Sequence, residues 1–182
     1  MPAAESVPYR FEVFWEEDYF PAFRYYSIRA DGAERSLASQ TLRELEANPA
    51  TQPLIGRFLE MMEQIGRRCR DIRAPGMLRG EINGRALPPQ PWAWKKLNYL
   101  RELGYPAGLP SLRWYAFDAD SHVLLLFGGG LKTHNDPTQC PNVGRWFRFA
   151  DHASRHLTAN RSDWTVQGLD LHLTDEANPL WL

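Results

Sequence analysis

The sequence predicts an α+β fold, in which a small, twisted, mainly antiparallel sheet is flanked by helices. An alternating segment at 112–117 precedes a polar turn and an unbroken apolar run at 123–127, which is typical of a β-hairpin with a buried second strand. Alternating aromatic residues at 9–15 and a further run at 23–28 indicate a second antiparallel pair. Apolar residues at helical spacing over 54–69 predict an amphipathic helix beside these strands.

The length of the chain favours one domain with a sizeable core. Its 182 residues fit a single α+β domain at 9–182, preceded by a flexible N-terminus at 1–8. Acidic and basic residues nearly balance overall, but 57–101 carries ten basic and four acidic residues. This segment could form an anion-binding surface or the solvated face of amphipathic helices, and the sequence leaves both interpretations open.

Cysteine content and hydropathy indicate a cytoplasmic protein with no membrane partner. Cys69 and Cys140 lie far apart and neither belongs to a CxxC pair, so neither a zinc module nor a disulfide framework is expected. The N-terminus lacks the apolar core of a signal peptide, and no apolar run approaches the ~20 residues of a membrane-spanning helix.

Two helices are expected after the first strand pair. Asp31 and Gly32 form a turn, and leucines at roughly helical spacing then predict a helix over 36–47. Asn48 precedes a proline and ends that helix. Thr51 is a candidate N-cap for the amphipathic helix that follows.

The second half of the chain combines loops, helices and strands. Frequent glycine and proline at 74–91 predict a short strand with loops, and spaced apolar residues predict a helix over 92–103. Beyond the hairpin we expect a helix over 143–157 and a final strand over 164–173, with Gly168 at a bulge.

Three glycines at 128–130 end the apolar run and are followed by Lys132, Thr133 and His134. The segment lacks both GxxxxGK[ST] and GxGxxG, so a nucleoside triphosphate site is not predicted. Backbone N–H groups beside a lysine are suited to holding an anion. A tight bend with closely packed backbone would also require glycine, and both interpretations stay open.

The sequence supports neither a metal site nor a cofactor. His152 and His156 share a face of the helix predicted at 143–157, but no HExxH glutamate or third ligand accompanies them. We therefore expect two half-exposed histidines without a metal. No G-x-S-x-G elbow occurs, and neither cysteine lies in a motif that marks a nucleophile.

Aromatic and basic residues interleave at 92–101 and at 145–149. Such a mixture could bind RNA through stacked bases and phosphate contacts. Amphipathic helices that bury their aromatic rings give the same pattern, and core packing is the preferred explanation for most of the rings. The candidates for RNA binding are the basic residues Lys95, Lys96, Arg145 and Arg148.

From the hairpin onward the sequence resembles the RelE/HigB-like toxin group of bacterial toxin-antitoxin systems. In that group an arginine-bearing strand, a short turn and an apolar strand ending in Lys-Thr or Lys-Lys precede a proline-containing loop and an alanine-bearing helix. The resemblance covers roughly residues 75–158. The matching segments are GRALPPQPWAWKKLNYL at 84–100, LRWYAF at 112–117, HVLLLFGG at 122–129, LKT at 131–133, Pro137 or Pro141, and FADHASRHL at 149–157.

The resemblance implies an endoribonuclease that cuts messenger RNA without a metal, usually on the ribosome, and that has a cognate antitoxin as partner. Carried over to this chain, Arg113 and Lys132 would stabilise the phosphorane charge, and His134 would act as a general acid or base on the reaction of the ribose 2′-hydroxyl. Arginine suits phosphate and histidine exchanges protons near neutral pH, so the set is chemically coherent. A non-catalytic binding or protein-interaction module of the same fold is the alternative.

Overall fold

The computed structural model of the protein describes residues 7–15, 20, 22–68, 100–104, 111–134 and 136–182. Within this part of the chain, two strands are followed by two helices, then three strands, one helix and three further strands. Two short 3₁₀ helices, Pro137–Gln139 and Arg161–Asp163, lie before and after the third helix. In chain order the elements are β1 Pro8–Val13, β2 Arg24–Ala30, α1 Leu37–Ala47, α2 Gln52–Arg68, β3 Leu100–Gly104, β4 Ser111–Asp120, β5 Val123–Lys132, α3 Gly144–Ala159, β6 Trp164–Gln167, β7 Asp170–Leu173 and β8 Leu180–Trp181.

The main sheet has six described strands in the order β3-β4-β5-β2-β1-β8. Strands β2 and β5 pair in parallel, whereas the other neighbouring strands of this sheet are antiparallel. A parallel pair needs a crossover connection, and both α1 and α2 lie between β2 and β5 in the chain. The α+β prediction is confirmed, with a mixed sheet in which antiparallel pairing predominates.

The hairpin of β4 and β5 lies in the interior of the sheet, as predicted. Strand β5 pairs with β4 on one side and with β2 on the other, and residues 123–130 are all buried. Leu124 and Leu126 pack in a core on one face, whereas Leu125 and Phe127 pack in a second core on the opposite face. A strand covered on both faces needs apolar side chains at successive positions, which explains the unbroken apolar run.

Helices α1 and α2 contribute to the core on the first face. Phe58 of α2 stacks on Trp114 of β4, with ring centroids 5.3 Å apart. The hydroxyl of Tyr25 in β2 donates to the carbonyl of Met62 at 2.7 Å. Burial raises the pKa of Tyr25 well above its ordinary value, so this hydroxyl stays protonated and satisfied inside the core.

Helix α3 and the β6–β7 hairpin contribute to the core on the second face. Leu157 packs there, and its carbonyl accepts a hydrogen bond from the indole nitrogen of Trp164 at 2.9 Å. The same indole meets the ring of Phe117 edge to face, with centroids 5.6 Å apart. The central hairpin is therefore held between two cores, one on each side of the sheet.

The predicted N-terminal strand pair and three predicted helices are confirmed. Strands β1 and β2 are antiparallel, and α1, α2 and α3 lie where the apolar spacing indicated helices at 36–47, 54–69 and 143–157. Strand β1 begins at Pro8, and residues 1–6 lie outside the described part of the chain. None of the helices in the described ranges is both long and apolar enough to cross a membrane.

Thr51 lies at the start of α2, but its side chain acts on the preceding helix. Its hydroxyl donates to the carbonyl of Asn48 at 3.0 Å and also to the carbonyl of Leu45. These carbonyls lie at the end of α1 and also accept from backbone N–H groups, Leu45 from Asn48 and Asn48 from Thr51 and Gln52. Thr51 directly precedes α2, as predicted, and its carbonyl accepts from the N–H groups of Leu54 and Ile55. Its hydroxyl contacts the end of α1, so this residue joins the two helices.

The helix predicted over 92–103 is wrong at its C-terminal end, where residues 100–104 form β3. Leu100 pairs with Phe117 and Gly104 pairs with Arg113, so this segment extends the ladder beyond β4. The outer edge of β4 offers a row of backbone donors and acceptors. Pairing with that edge satisfies the backbone of 100–104 and outweighs the helical spacing of its apolar residues. Residues 92–99 and the loops predicted at 74–91 lie outside the described residues.

The final strand predicted over 164–173 is instead a hairpin of β6 and β7. Gln167 pairs with Asp170 beside the turn, and Gly168 adopts φ +64° within it. A left-handed backbone at this position is readily available only to glycine. The glycine was correctly identified as an irregularity, but it reverses the chain and does not form a bulge.

Candidate functional site

The candidate site lies where β5 ends and β4 begins. The register pairs Arg113 with Gly130 and Ser111 with Lys132. Residues directly opposite in an antiparallel ladder share a face, and so do residues two apart along a strand. Arg113 and Lys132 therefore project from the same face as diagonal neighbours, a spacing of roughly 7–8 Å between backbone positions. His134 follows two residues after the end of β5.

The three glycines allow other backbone segments to approach β5 closely. A β carbon on Gly128 would lie 2.6 Å from the ring of Trp146, and one on Gly130 would lie 2.7 Å from the carbonyl oxygen of Asn142. Gly129 is tighter still, since its β carbon would lie 2.0 Å from the carbonyl oxygen of Arg113. Strand β5 continues through all three positions, with a register shift against β4 between Leu126 and Gly129. Of the two interpretations of the glycines, close packing of the backbone is therefore confirmed.

Arg113 lies almost inside the protein, with 9% of its surface exposed. One guanidinium nitrogen, Nη1, donates to the carbonyl of Leu112 at 2.9 Å. A guanidinium keeps its positive charge at every accessible pH, so this position holds a permanent charge in a largely desolvated setting. Electrostatic interactions with an anion are stronger in such a setting than in water.

Lys132 is also nearly buried, at 4% exposure, and it lies close enough to Asp136 to affect its ionisation. The pKa of Asp136 is lowered first by the Thr138 hydroxyl, which donates to Oδ1 at 2.7 Å, and then by the Thr138 N–H at 2.8 Å. The positive charge of Lys132 lowers it further. The Asp136 carboxylate therefore lies near Lys132, in the loop between β5 and α3.

A chain of hydrogen bonds connects His134 to the loop before α3. The hydroxyl of Thr133 lies 2.9 Å from Nδ1 of His134 and 3.5 Å from Sγ of Cys140. The backbone N–H of Thr133 also donates to Cys140 Sγ, at 3.4 Å. The exposed imidazole thus contacts the protein through a threonine that is itself held by a buried sulfur.

Cys140 occupies an environment that favours its thiolate. Burial by itself raises the pKa of this thiol, but hydrogen bonds from the hydroxyl and N–H of Thr133 and from the N–H groups of Asn142 and Val143 outweigh it. The net effect lowers the pKa from 9.0 to about 6. Free N–H groups at the start of a helix are the usual source of such stabilisation, and α3 begins at Gly144.

Comparisons of the chain with protein-family models, with curated proteins and with solved structures found no match.

Two of the four basic residues proposed to bind RNA lie in the described part of the chain. Arg145 and Arg148 are exposed on α3, beside the candidate site. Arg145 pairs with Glu44 of α1 at 2.6 Å and lies over the ring of Trp146, with 4.9 Å from its guanidinium carbon to the ring centroid. Lys95 and Lys96 lie outside the described residues.

The two helix histidines both lie on α3, as predicted. Burial and the nearby His152 lower the pKa of His156, an effect that Asp163 partly opposes. Among the described residues, no group of three or more His, Cys, Asp or Glu side chains could hold a metal ion. The expectation that these histidines bind no metal stays a prediction.

Sequence reasoning did not identify Thr133, Asp136 and Cys140 as parts of one cluster. Cys140 belongs to no recognised motif, and it lies seven positions after Thr133, across a proline-containing loop. The available signal was its position just before a predicted helix, where unpaired N–H groups can stabilise a thiolate.

Proposed function

We propose that this chain is a RelE/HigB-like toxin of the bacterial cytoplasm, which cuts messenger RNA by metal-independent chemistry and is held inactive by a cognate antitoxin. The observation that carries the proposal is the shared face of Arg113 and Lys132 beside His134. Two nearly desolvated cations can stabilise the charge that develops on the phosphate, and an exposed imidazole can transfer the protons of cleavage through a ribose 2′-hydroxyl.

In the proposed reaction the ribose 2′-oxygen attacks the adjacent phosphorus, and the bond from phosphorus to the 5′-oxygen of the next nucleotide breaks. His134 exchanges a proton with one of these oxygens, either taking it from the attacking hydroxyl or giving it to the leaving group. The phosphorane carries one more negative charge than the ground state. Arg113 and Lys132 would stabilise that extra charge, and so lower the barrier more than they strengthen substrate binding.

The low exposure of Arg113 and Lys132 strengthens their action on an anion, whereas the Asp136 carboxylate near Lys132 weakens it. Charges held in a water-poor setting are preorganised and act strongly on a developing anion. The nearby Asp136 carboxylate repels a phosphate, so Lys132 must serve both partners. This arrangement favours a substrate whose charge rises during the reaction over one that simply binds as an anion.

The deciding experiment compares the wild-type chain with Arg113→Ala, both for growth arrest on induction and for cleavage of ribosome-bound message by purified protein. We expect Arg113→Ala to slow cleavage by about 10²–10³-fold, the usual effect of removing one preorganised donor. Lys132→Arg should also reduce the rate, because a planar fork does not replace a compact ammonium.

The matched control is Arg155→Ala, which removes an exposed arginine from α3 that pairs with Asp151 at 2.9 Å. It should arrest growth and cleave RNA like the wild type. Thermal melting of Arg113→Ala separates lost chemistry from lost folding, since Arg113 is largely buried. A wild-type chain that is harmless and cuts nothing in either assay would overturn the proposal.

The burial of Arg113 and Lys132 also favours a second candidate function. A non-catalytic module would use the same face to bind RNA or a protein partner, and the two cations would then serve mainly the internal packing of β4 and β5. Such a protein would bind ribosomes or RNA without producing cut ends, whereas the toxin yields new 5′ ends within the message.

A further inference from the structure

The contacts around His134 extend beyond the three residues of the proposed reaction. We infer that Thr133 and Cys140 are positioning residues, which hold His134 as the tautomer that carries its proton on Nδ1 and leaves Nε2 free to accept one. This inference rests on the proposed function for its role in catalysis. Its structural content, the tautomer of one imidazole, can be measured without any RNA.

The direction of the hydrogen bonds follows from the Thr133 hydroxyl, which has one proton to donate. It lies between two groups that could each donate or accept, Nδ1 of His134 at 2.9 Å and Sγ of Cys140 at 3.5 Å. If the hydroxyl donates to sulfur, its oxygen accepts from Nδ1–H. If it donates to Nδ1 instead, the sulfur contact is a hydrogen bond only while Cys140 is protonated and donates to the hydroxyl oxygen.

The surroundings of Cys140 favour donation to the sulfur, because they make the sulfur an acceptor. The N–H of Thr133 donates to Sγ at 3.4 Å. When the thiol is protonated, the carbonyl of Leu131 lies 3.6 Å from Sγ and accepts its proton. When it is ionised, there is no proton to give. In both states the sulfur can accept from the Thr133 hydroxyl, which leaves the hydroxyl oxygen free to accept from Nδ1–H.

Solvent exposure distinguishes His134, which can contact RNA, from Cys140, which cannot. Cys140 is 1% exposed and is surrounded by its hydrogen-bond partners, so it has no open approach for an RNA phosphate. His134 is exposed, and its Nε2 lies on the side of the ring opposite the threonine contact. A buried sulfur therefore acts on the reaction only through Thr133, by fixing which imidazole nitrogen carries a proton.

The test is ¹⁵N NMR of the full-length chain labelled at histidine, at a pH where the imidazole is neutral, with His134→Gln to assign the resonance. We expect the wild-type His134 signal to report protonation at Nδ1. Thr133→Val keeps the shape of the side chain but removes the hydroxyl, and should shift the ring toward the Nε2-protonated tautomer that predominates in water. Cys140→Ala should shift it in the same direction, whereas Cys140→Ser, which restores an acceptor, should shift it less.

Cleavage kinetics supply the functional arm. Thr133→Val should lower kcat by roughly tenfold or more, with little change in KM. Complete loss of a general acid or base costs about 10²–10⁴-fold, and loss of its positioning should cost part of that. The matched control is Thr158→Val on α3, whose hydroxyl donates to the carbonyl of Ser154 at 2.7 Å; it should leave both the tautomer and kcat unchanged.

The two arms fail differently. A wild-type His134 protonated at Nε2, or a tautomer that Thr133→Val leaves unchanged, overturns the inference even if the protein cuts RNA. The expected tautomer in a protein that cuts no RNA supports the hydrogen-bond relay and overturns the proposed function instead. A large rise in KM with an unchanged kcat would reject positioning for catalysis.

Discussion

Individual residues at the candidate site are set by the balance between burial and hydrogen bonding. Arg113 and Lys132 lose most of their hydration, which is costly for cations unless polar groups replace the water. Asp136 and Cys140 show the opposite effect, because donated hydrogen bonds stabilise negative charge on both of them. The end of β5 therefore brings two cations together with two groups that are easily ionised.

The ionisation of Cys140 gives a prediction that needs no substrate. The ultraviolet absorbance of the thiolate, taken as the difference between wild type and Cys140→Ser, should rise with a midpoint near pH 6. Since the folded pKa lies below that of an ordinary thiol, the unfolded chain holds the proton over a wider pH range. The stabilisation from the thiolate should be complete above about pH 9 and lost as pH falls through about 6.

Chemical denaturation at several pH values checks the same linkage. Wild-type stability should increase more steeply than that of Cys140→Ser between pH 6 and 9. A thiolate midpoint near 9.0 would contradict the donor environment described for this sulfur.

His156 predicts a pH dependence in a lower range. Its folded pKa lies below the 6.5 of a free histidine, chiefly because burial disfavours the charged ring. As pH falls through 6.5 the unfolded chain takes up the proton first, so the folded state loses stability until the folded pKa is passed. His156→Gln should weaken this loss in urea unfolding between pH 7 and 5. Equal losses in the two proteins would show that the helix does not hold this ring neutral.

At the scale of elements, the β4–β5 hairpin could be recognised from sequence because both of its strand patterns are local. Alternation at 112–117 and the continuous apolar run at 123–127 reflect which faces of each strand are covered. The register that brings Arg113 and Lys132 to one face depends both on the short connection at 121–122 and on two register shifts within the hairpin, between Asp118 and Asp120 and between Trp114 and Ala116. The sequence-based prediction was wrong at β3, which was expected to be helical, and at the β6–β7 turn, which was expected to lie within one strand. In both places, pairing with a neighbouring strand decides the structure against a few residues of periodicity.

Gly129 of β5 and Gly56 of α2 should respond to alanine in opposite directions. Gly129→Ala should lower the free energy of unfolding by at least about 1–3 kcal/mol, because its β carbon would meet the backbone of Arg113 at 2.0 Å. Gly56→Ala has open space around the new β carbon and lies in a helix, so it should stabilise by about 0.5–1 kcal/mol. Denaturant titrations of both variants give the comparison, and a neutral Gly129→Ala would mean that the ladder can widen there.

At the scale of the whole molecule, β5 connects two hydrophobic cores. Successive side chains of this strand enter the core that contains α1 and α2 residues and the core that contains α3 residues. Neither core can lose β5 without exposing apolar surface in the other. The described ranges are therefore expected to unfold as one cooperative unit.

Leu125→Ala tests this coupling. Leu125 is fully buried, so truncation should lower the free energy of unfolding by about 2–5 kcal/mol. Although its side chain lies in the α3 core, transitions followed by near-ultraviolet and far-ultraviolet circular dichroism should shift together. Two separate transitions would show that the two cores unfold independently.

The sequence by itself determined the α+β class, the three helices and both antiparallel strand pairs. These features depend on periods of two and about 3.6 residues and on turns between adjacent segments, which are visible in any short window of the chain. Only the tertiary structure decided the parallel pairing of β2 with β5, the contact of Arg145 with Glu44, and the linkage of His134 to Cys140 through Thr133. The first two join residues about 100 positions apart, and the third depends on how the loop before α3 folds back onto β5. The free energy of packing the whole chain selects such contacts, and no local pattern records it.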